Sequence, residues 1–569
     1  MTTPADGDLP TESAGKKPPS LGRSSLVMAS GTFVSRALGL VRNLVLIAAV
    51  GVNIGAANAF DVANKIPNVM FAILASGMLN AVLVPQIVRA YQRKQGEEFT
   101  NRILTVAGAI MLGITLLLTL GSSWVIGLYI DNWTPELTAL AVSFGFWCIP
   151  QLFFYGLYTL VGQVLNARSI FGPFMWAPVV NNIISIAGFG AFIAIFGGYD
   201  AATAHDLSSW TGAKIALLGG SATLGIAGQA LVLFIPLWRS GFRFRFRWKV
   251  RGMGMRSMGK VAAWTSAATI LEQVGVLVIT RVTSAAGEHS GELFDVAGNA
   301  AYTQALMIYL LPHSLVTVSI TTALFTQISA AAAAGDIPRV RADLSLGMRT
   351  VGVFTVFATA ALIVLAVPIT RVILFTASHP GEITSVARVL AVLAIGLVPL
   401  GAMLLMKRAY FAFEDGFTIF LIQIPVTAVT IAGSLLGMYL LPPDWWAAGA
   451  GGSMALGSIV AGAGRLRGLR RRLQGLDGHR ILRLFSRLII AALLASGIGF
   501  FIKSLLGDGA DDPLHGLLTA AVAGLTMLAV YIVSLYLMRV QELSILLSPV
   551  TAKLRRRFGP YDRDEKGGN

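Results

Sequence analysis

Charge is scarce in this chain, and negative charge scarcer still: 13% of the 569 residues are Asp, Glu, Lys or Arg, 28 of them acidic and 44 basic. A soluble domain carries about 25% charged residues, so a water-exposed globule is excluded. Cysteine is nearly absent. The one present, Cys148, lies in an apolar run, which leaves no disulfide framework, no Cys-based zinc site and no iron–sulfur cluster within one chain. A cleavable secretory signal is lacking too: Met1 to Ser24 is polar and leads directly into a long hydrophobic helix without a small-residue cleavage site. GMRSMGK (Gly254 to Lys260) approaches a phosphate-binding loop, but Val261 follows the lysine instead of a magnesium-binding hydroxyl, and no strand precedes it. Without an ATPase, protease or glycosyltransferase constellation, the sequence reads as a non-enzyme with no cofactor.

What is abundant is apolar length. Hydrophobic residues make up 55% of the chain and its mean hydropathy is +0.71, and a spanning helix needs about 20 mostly apolar residues. By that measure the expected fold is an all-α polytopic membrane protein with about fourteen spans. The 44 basic residues test this. With both termini placed in the cytoplasm, all but eight fall in the tails and inward loops, while Asp131, Asp200, Asp206, Glu288, Glu382 and Asp444 fall in outward loops. Arg239 to Lys260 interleaves basic and aromatic residues as a nucleic-acid surface does. Its place between two spans favours anionic membrane lipids as its partner, and no nucleic acid.

An internal repeat divides the chain. GGSATLG at 219–225 returns as GGSMALG at 451–457, LVPQI at 83–87 has a counterpart in LFTQI at 324–328, and Pro178 and Pro425 hold similar places in spans five and eleven. The expected organisation is a disordered cytoplasmic tail (1–24), two six-span halves (25–250 and 251–480), two further spans (481–541) and a basic cytoplasmic tail (542–569). Six spans return the chain to its starting side, so the halves share one orientation and are expected to be related by a pseudo-two-fold axis along the membrane normal. Chance likeness of Gly-rich helix starts is the competing reading, since small residues are common at packed helix interfaces.

Four ionisable residues stand inside the first two spans: Arg36, Arg42, Asp61 and Lys65. A charge at the centre of a spanning helix costs about 2.5–3.5 kcal/mol on insertion scales, so such groups face a protein interior or a wet cavity. Asp61 and Lys65 stand at i and i+4, acidic residue first, the favourable order for a helical pair. On one reading Asp61 pairs with Lys65 or an arginine and fastens span two to span one. On the other, the surplus cations hold an anionic ligand, for which the arginine fork is well suited. Arg36 and Arg42 lie about 120° apart around the axis, so one cavity engages both only by wrapping the helix or through a bend at Gly39. Further polar candidates are Glu272, Gln273 and Gln304, for ion coupling or cavity lining, against the plain role of hydrogen bonding across a helix interface. His313, beside Pro312, reads as satisfying backbone groups that the proline frees.

SRALGLVR (Ser35 to Arg42), NAFDVANKIPN (Asn58 to Asn68) with Gly77 and Val84–Pro85 after it, VLNARSIFGPFMWAPVVNNI (Val164 to Ile183) and RAYFAFED (Arg408 to Asp415) closely resemble the MurJ/MviN lipid II flippases of the MOP exporter superfamily. The resemblance spans nearly the whole chain. It implies a carrier in the bacterial cytoplasmic membrane that moves undecaprenyl-diphosphate-linked peptidoglycan precursor from the inner to the outer leaflet by alternating access. It also implies Arg36, Arg42 and Lys65, with Asp61, as the diphosphate site, Gly39, Pro67 and Asn68 as structural motif positions, and cell-wall synthesis proteins as partners. Two departures stand out. Phe71, Ala72 and Ser76 occupy positions where the family often has charge, and Ala301 to Ser314 lacks the family's usual arginine of span eight. Alternatives left open are a flippase for another polyprenyl-linked glycan, a cation-coupled drug exporter of the same superfamily, and a non-transporting scaffold.

Overall fold

The structure, a computed structural model, describes residues 21–75, 96–168, 170–200, 202–203, 205–248, 260–290, 294–377 and 379–543. Gly77, Val84–Pro85, the repeat copy at 83–87, most of the GMRSMGK stretch and both tails beyond these bounds lie outside the described residues. Among the described residues every regular element is helical. The principal helices are α1 (Leu21–Val50), α2 (Gly55–Leu74), α3 (Gly96–Leu120), α4 (Pro135–Ala167), α5 (Gly172–Phe196), α6 (Gly212–Arg239) and α7 (Lys260–Gly287). They continue as α8 (Asn299–Ala333), α9 (Ile337–Val364), α10 (Pro380–Ala394 with Leu397–Ala412), α11 (Gly416–Leu440), α12 (Pro443–Arg472), α13 (Gly478–Leu506) and α14 (Pro513–Leu537). Eleven are long and apolar enough to cross a membrane, and α10, bent by 47°, makes a twelfth. With α2, which contains Pro67, and α12, which ends in Arg470–Arg472, the order is consistent with fourteen spans.

Helix starts follow from local chemistry. Thr134 and Thr211 accept the N–H of Leu137 and Lys214, Asp415 and Asp512 do the same for Thr418 and His515, and proline occupies the first turn of α4, α10, α12 and α14. These side chains take up N–H groups that a helix leaves unpaired, and proline gives up no bond in that turn.

The repeat is a packing device. In the first half α1 packs on α5, α5 on α6, α2 on α4 and α3 on α4, and the same pairs recur six helices later. A Cβ at Gly225 would meet Ser185 at 2.5 Å and also Asn181, while one at Gly457 would meet Thr430 at 2.7 Å and Val426 at 3.6 Å. Likewise Gly188 lies against Ser221, and Gly433 against Ser453. GGSxxLG therefore brings α6 onto α5 and α12 onto α11 by the same close contact of small residues, the means by which helices associate in lipid. The extra pair, α13 and α14, packs on itself and on α9.

The loops divide the molecule into an acidic end, with Asp131, Glu382 and Asp444, and a basic end, with Arg168, Arg239 and Arg472. At the basic end each half has its own core: Ile103, Leu165 and Phe242 in the first, Ile328, Tyr410 and Leu469 in the second. At the acidic end the cores are shared. Phe294 and Ala300 of the second half sit with Ile54, Phe60 and Phe144 of the first, and Ile47 and Val52 sit with Ile383 and Leu390. The halves are thus joined at the acidic end and separate cores at the basic one.

Candidate functional site between the halves

The junction is built on α2. Gly298, the residue before α8, has no side chain to cap that helix. Asn58 of the opposite half supplies the cap: its Oδ1 accepts the Ala300 N–H at 2.9 Å. The fit demands glycine on both sides, because a Cβ at Gly287 would lie 2.6 Å from Asn58 Nδ2, and one at Gly298 would also fall on that amide. One turn along, Asp61 Oδ2 accepts from Asn299 Nδ2 at 2.7 Å and Thr303 Oγ1 at 2.9 Å and pairs with Lys65 at 3.1 Å, while Lys65 donates to Asn299 Oδ1 at 2.8 Å. The Asp61–Lys65 pair does fasten α2, but to α8 across the junction and not to α1. Its carboxylate also lies at the first turn of α8, where the helix dipole favours negative charge.

Nearer the surface the junction is polar. Asn53 Nδ2 reaches Phe294 O and Ser385 Oγ, each at 2.6 Å, Arg281 pairs with Asp131 at 2.7 Å, Trp133 Nε1 donates to Ser284 O at 3.0 Å and the Tyr199 hydroxyl donates to Glu382 at 3.3 Å. These polar contacts surround the shared apolar cores beneath them.

Below the junction α1 presents its cations. Arg36 reaches across to the second half, donating from Nη1 to Ser314 O at 2.6 Å. That carbonyl belongs to a π-turn at His313–Thr317 directly after Pro312. A π-turn shifts the backbone pairing by a residue and is often found at functional sites. Arg42 turns the other way, toward Tyr155 of α4, which Asn68 also engages. α1 runs unbroken through Gly39, where Asn182 of α5 comes close and donates to Ser35 O at 2.8 Å. The two arginines therefore serve different walls, as their 120° spacing implies. Asn43 and Gln304 pair at 2.6 Å between them and the junction.

The second half holds its own cluster. A cavity of about 290 Å³ is lined by Glu272 of α7, His313 of α8, Lys407 of α10, Gln423 and Thr427 of α11 and Arg465 of α12. The repeat relates Glu272 to a known position: Thr427 Oγ1 bonds Leu271 O just as Asn182 bonds Ser35 O, so Glu272 is the counterpart of Arg36. Glu272 makes no hydrogen bond across a helix interface to another described residue, and the structure gives Gln273 only a half-buried place beside it. His313 does not satisfy the backbone that Pro312 frees; its Nδ1 has no partner among the described residues. Lys407 and Arg465 correct the sorting of basic residues into loops, for both lie inside helices, Arg465 being only 2% exposed. Lys407 follows an unbroken apolar run, a signal that it sits at membrane depth. For Arg465 the sequence has no such mark, because it opens the arginine-rich end of α12.

The chain was compared with known proteins. The family model described as "Lipid II flippase MurJ" matches residues 47–509. Lipid II flippase MurJ of Burkholderia cenocepacia is 26% identical over 489 residues, covering 84% of this chain and 89% of the relative. The probable lipid II flippase MurJ of Rickettsia prowazekii is 24% identical, covering 66% of this chain and 70% of the relative. Among solved structures, lipid II flippase MurJ in an inward closed conformation superposes with a TM-score of 0.68 at 20% identity, covering 92% of this chain and all of that one. An inward-facing multidrug resistance MATE family transporter of the MOP superfamily superposes at 0.61 and 15% identity, covering 79% of this chain. With a repeated six-helix fold, charged side chains at the junction of its halves, and a family match over most of its length, the chain is a multi-pass membrane protein that belongs to the lipid II flippase MurJ family.

Proposed function

We propose that this chain is a lipid II flippase, moving the undecaprenyl-diphosphate-linked precursor from the inner to the outer leaflet of the bacterial cytoplasmic membrane by alternating access between its halves. What supports the reading is the set of cations that the first two spans carry beside the junction of the halves: Arg36, which reaches the second half, Arg42, which turns toward Tyr155, and Lys65, which is paired with Asp61. Asp61 neutralises Lys65 at the junction, so the two arginines remain as the surplus charge for a diphosphate, to which each offers a planar fork of donors. The basic end faces the cytosol by the excess of Lys and Arg in its loops. The end at which the two halves keep separate cores is then the one facing the leaflet where the precursor is made. Cells depleted of their own precursor flippase and supplied with this chain should survive; lysis with the protein present in the membrane sinks the reading.

Orientation has its own test. Cys148 is fully buried and gives no background. Asp508, exposed in the turn between α13 and α14, is the probe for the acidic end. Cysteine at 508 should react with an impermeant maleimide added to intact cells, and cysteine at the exposed Phe246 only after permeabilisation. Labelling of 246 in intact cells inverts the assignment. Phe246 stacks on Trp248, and the Arg245 and Arg247 N–H groups hang on Asn101 and Thr105 of α3, an extended ribbon suited to anionic lipids at that surface.

A further inference from the structure

The cavity of the second half is lined by none of the residues assigned to the diphosphate, and its chemistry is specific. We propose that it is a carboxylate subsite for the peptide portion of the transported headgroup, held by Lys407 and Arg465; this rests on the flippase reading above. The two cations outnumber the one acidic lining group, Glu272, whose field acts on both without forming an ion pair with either. Arg465 is buried to 98%; among the described residues its Nε has no partner and its Nη1 reaches only Met403 O, at 3.5 Å. A buried guanidinium left this way is costly unless an anion meets it. The His313 Nδ1, which also lines the cavity, is a second nitrogen without a partner among the described residues.

Size and surroundings select the class of anion. At about 290 Å³ the cavity holds roughly ten waters' worth of space at about 30 Å³ each, far more than a halide needs. It fits a carboxylate together with the adjoining amide, for which Gln423 and Thr427 offer hydrogen-bonding groups. The repeat sets Glu272 opposite Arg36, so diphosphate on the first half and peptide carboxylate on the second would be held by both halves at once. Glu272 then opposes the ligand's carboxylate through its field on the same two cations. The arrangement also supplies cationic charge to this half, although Ala301 to Ser314 of α8 carries none.

The test uses the full chain in nanodiscs, with an N-acetylated dipeptide bearing a free carboxylate, the same dipeptide as its amide, and sodium sulfate. The acid should raise the melting temperature at concentrations about tenfold below those needed for the amide, the difference expected of one charge-assisted contact. Lys407→Gln should erase the preference, and Glu272→Gln should strengthen binding of the acid several-fold, an effect that a packing role would not produce. Lys407 is half-buried, so its variant remains a test even if Arg465→Gln fails to fold. Equal shifts with acid and amide overturn the subsite, and a response to sulfate alone leaves an unspecific anion site and overturns it too. Leaflet transfer of lipid II is measured in parallel. Discrimination without transfer sinks the flippase reading and the headgroup role with it, whereas transfer without discrimination sinks only the subsite.

Discussion

Proteoliposomes carrying the Arg36→Ala, Arg42→Ala double variant are expected to transfer lipid II between leaflets at least about a hundredfold more slowly than wild type, since each lost charge-assisted contact is worth about 1.5–3 kcal/mol. Each single substitution should cost about tenfold or more on the same scale. Arg→Lys should fall between, because the charge survives but the two parallel hydrogen bonds do not. The variants differ in a way the geometry anticipates. Arg36 also ties α1 to the π-turn of α8 through Ser314 O, so its loss should loosen the joined conformation, whereas Arg42, turned toward Tyr155, should affect binding alone. Protein levels and melting temperature at matched insertion separate transport from folding. Wild-type transfer by the double variant would falsify the diphosphate role and leave both arginines as packing groups.

Gly298→Val is expected to abolish transport through the junction and not through the substrate. The new side chain would occupy the place of the Asn58 amide, which costs about 1–3 kcal/mol by overpacking, and it would displace the cap on Ala300, worth about 0.5–2 kcal/mol. Together these shift the balance between the joined and parted conformations by about tenfold to several-thousandfold, since each 1.4 kcal/mol is tenfold. The reporter is a cysteine at Ile47, only 2% exposed within the shared core. It should resist impermeant maleimide in the otherwise native protein and react at least about tenfold faster beside Gly298→Val, by the same conversion. Asn58→Ala, which removes the cap without adding bulk, should lie between. Asp61→Asn should also weaken the joint, because its carboxylate takes donors from Lys65, Asn299 and Thr303. A protected reporter and normal transport in Gly298→Val would mean that the notch does not hold the halves together.

What was legible in the sequence is what one-dimensional pattern carries. Spans can be counted because each must be apolar over the thickness of a bilayer. The repeat can be seen because close helix approach admits only small residues, so GGSxxLG survives in both halves. The four charges of the first two helices stand out against apolar neighbours. The i, i+4 spacing gave the Asp61–Lys65 pair; tertiary structure alone decided the partners across the halves. Asp61 proved to be tied to Asn299 and Thr303, more than 230 residues away, and Asn58 to the start of α8, pairings that no local rule contains. Arg465 reads as a loop charge because a basic residue in an arginine-rich helix end looks the same whether it points to water or into a cavity, and only the packing of α7, α10, α11 and α12 separates the two; Lys407 was marked by the apolar run before it, but its partners were not. Composition sets where the chain lies relative to the bilayer, since transfer into lipid depends on each residue's own polarity. Which charge meets which depends on distances of a few ångströms between helices far apart in the chain, and those are fixed only when the two halves pack.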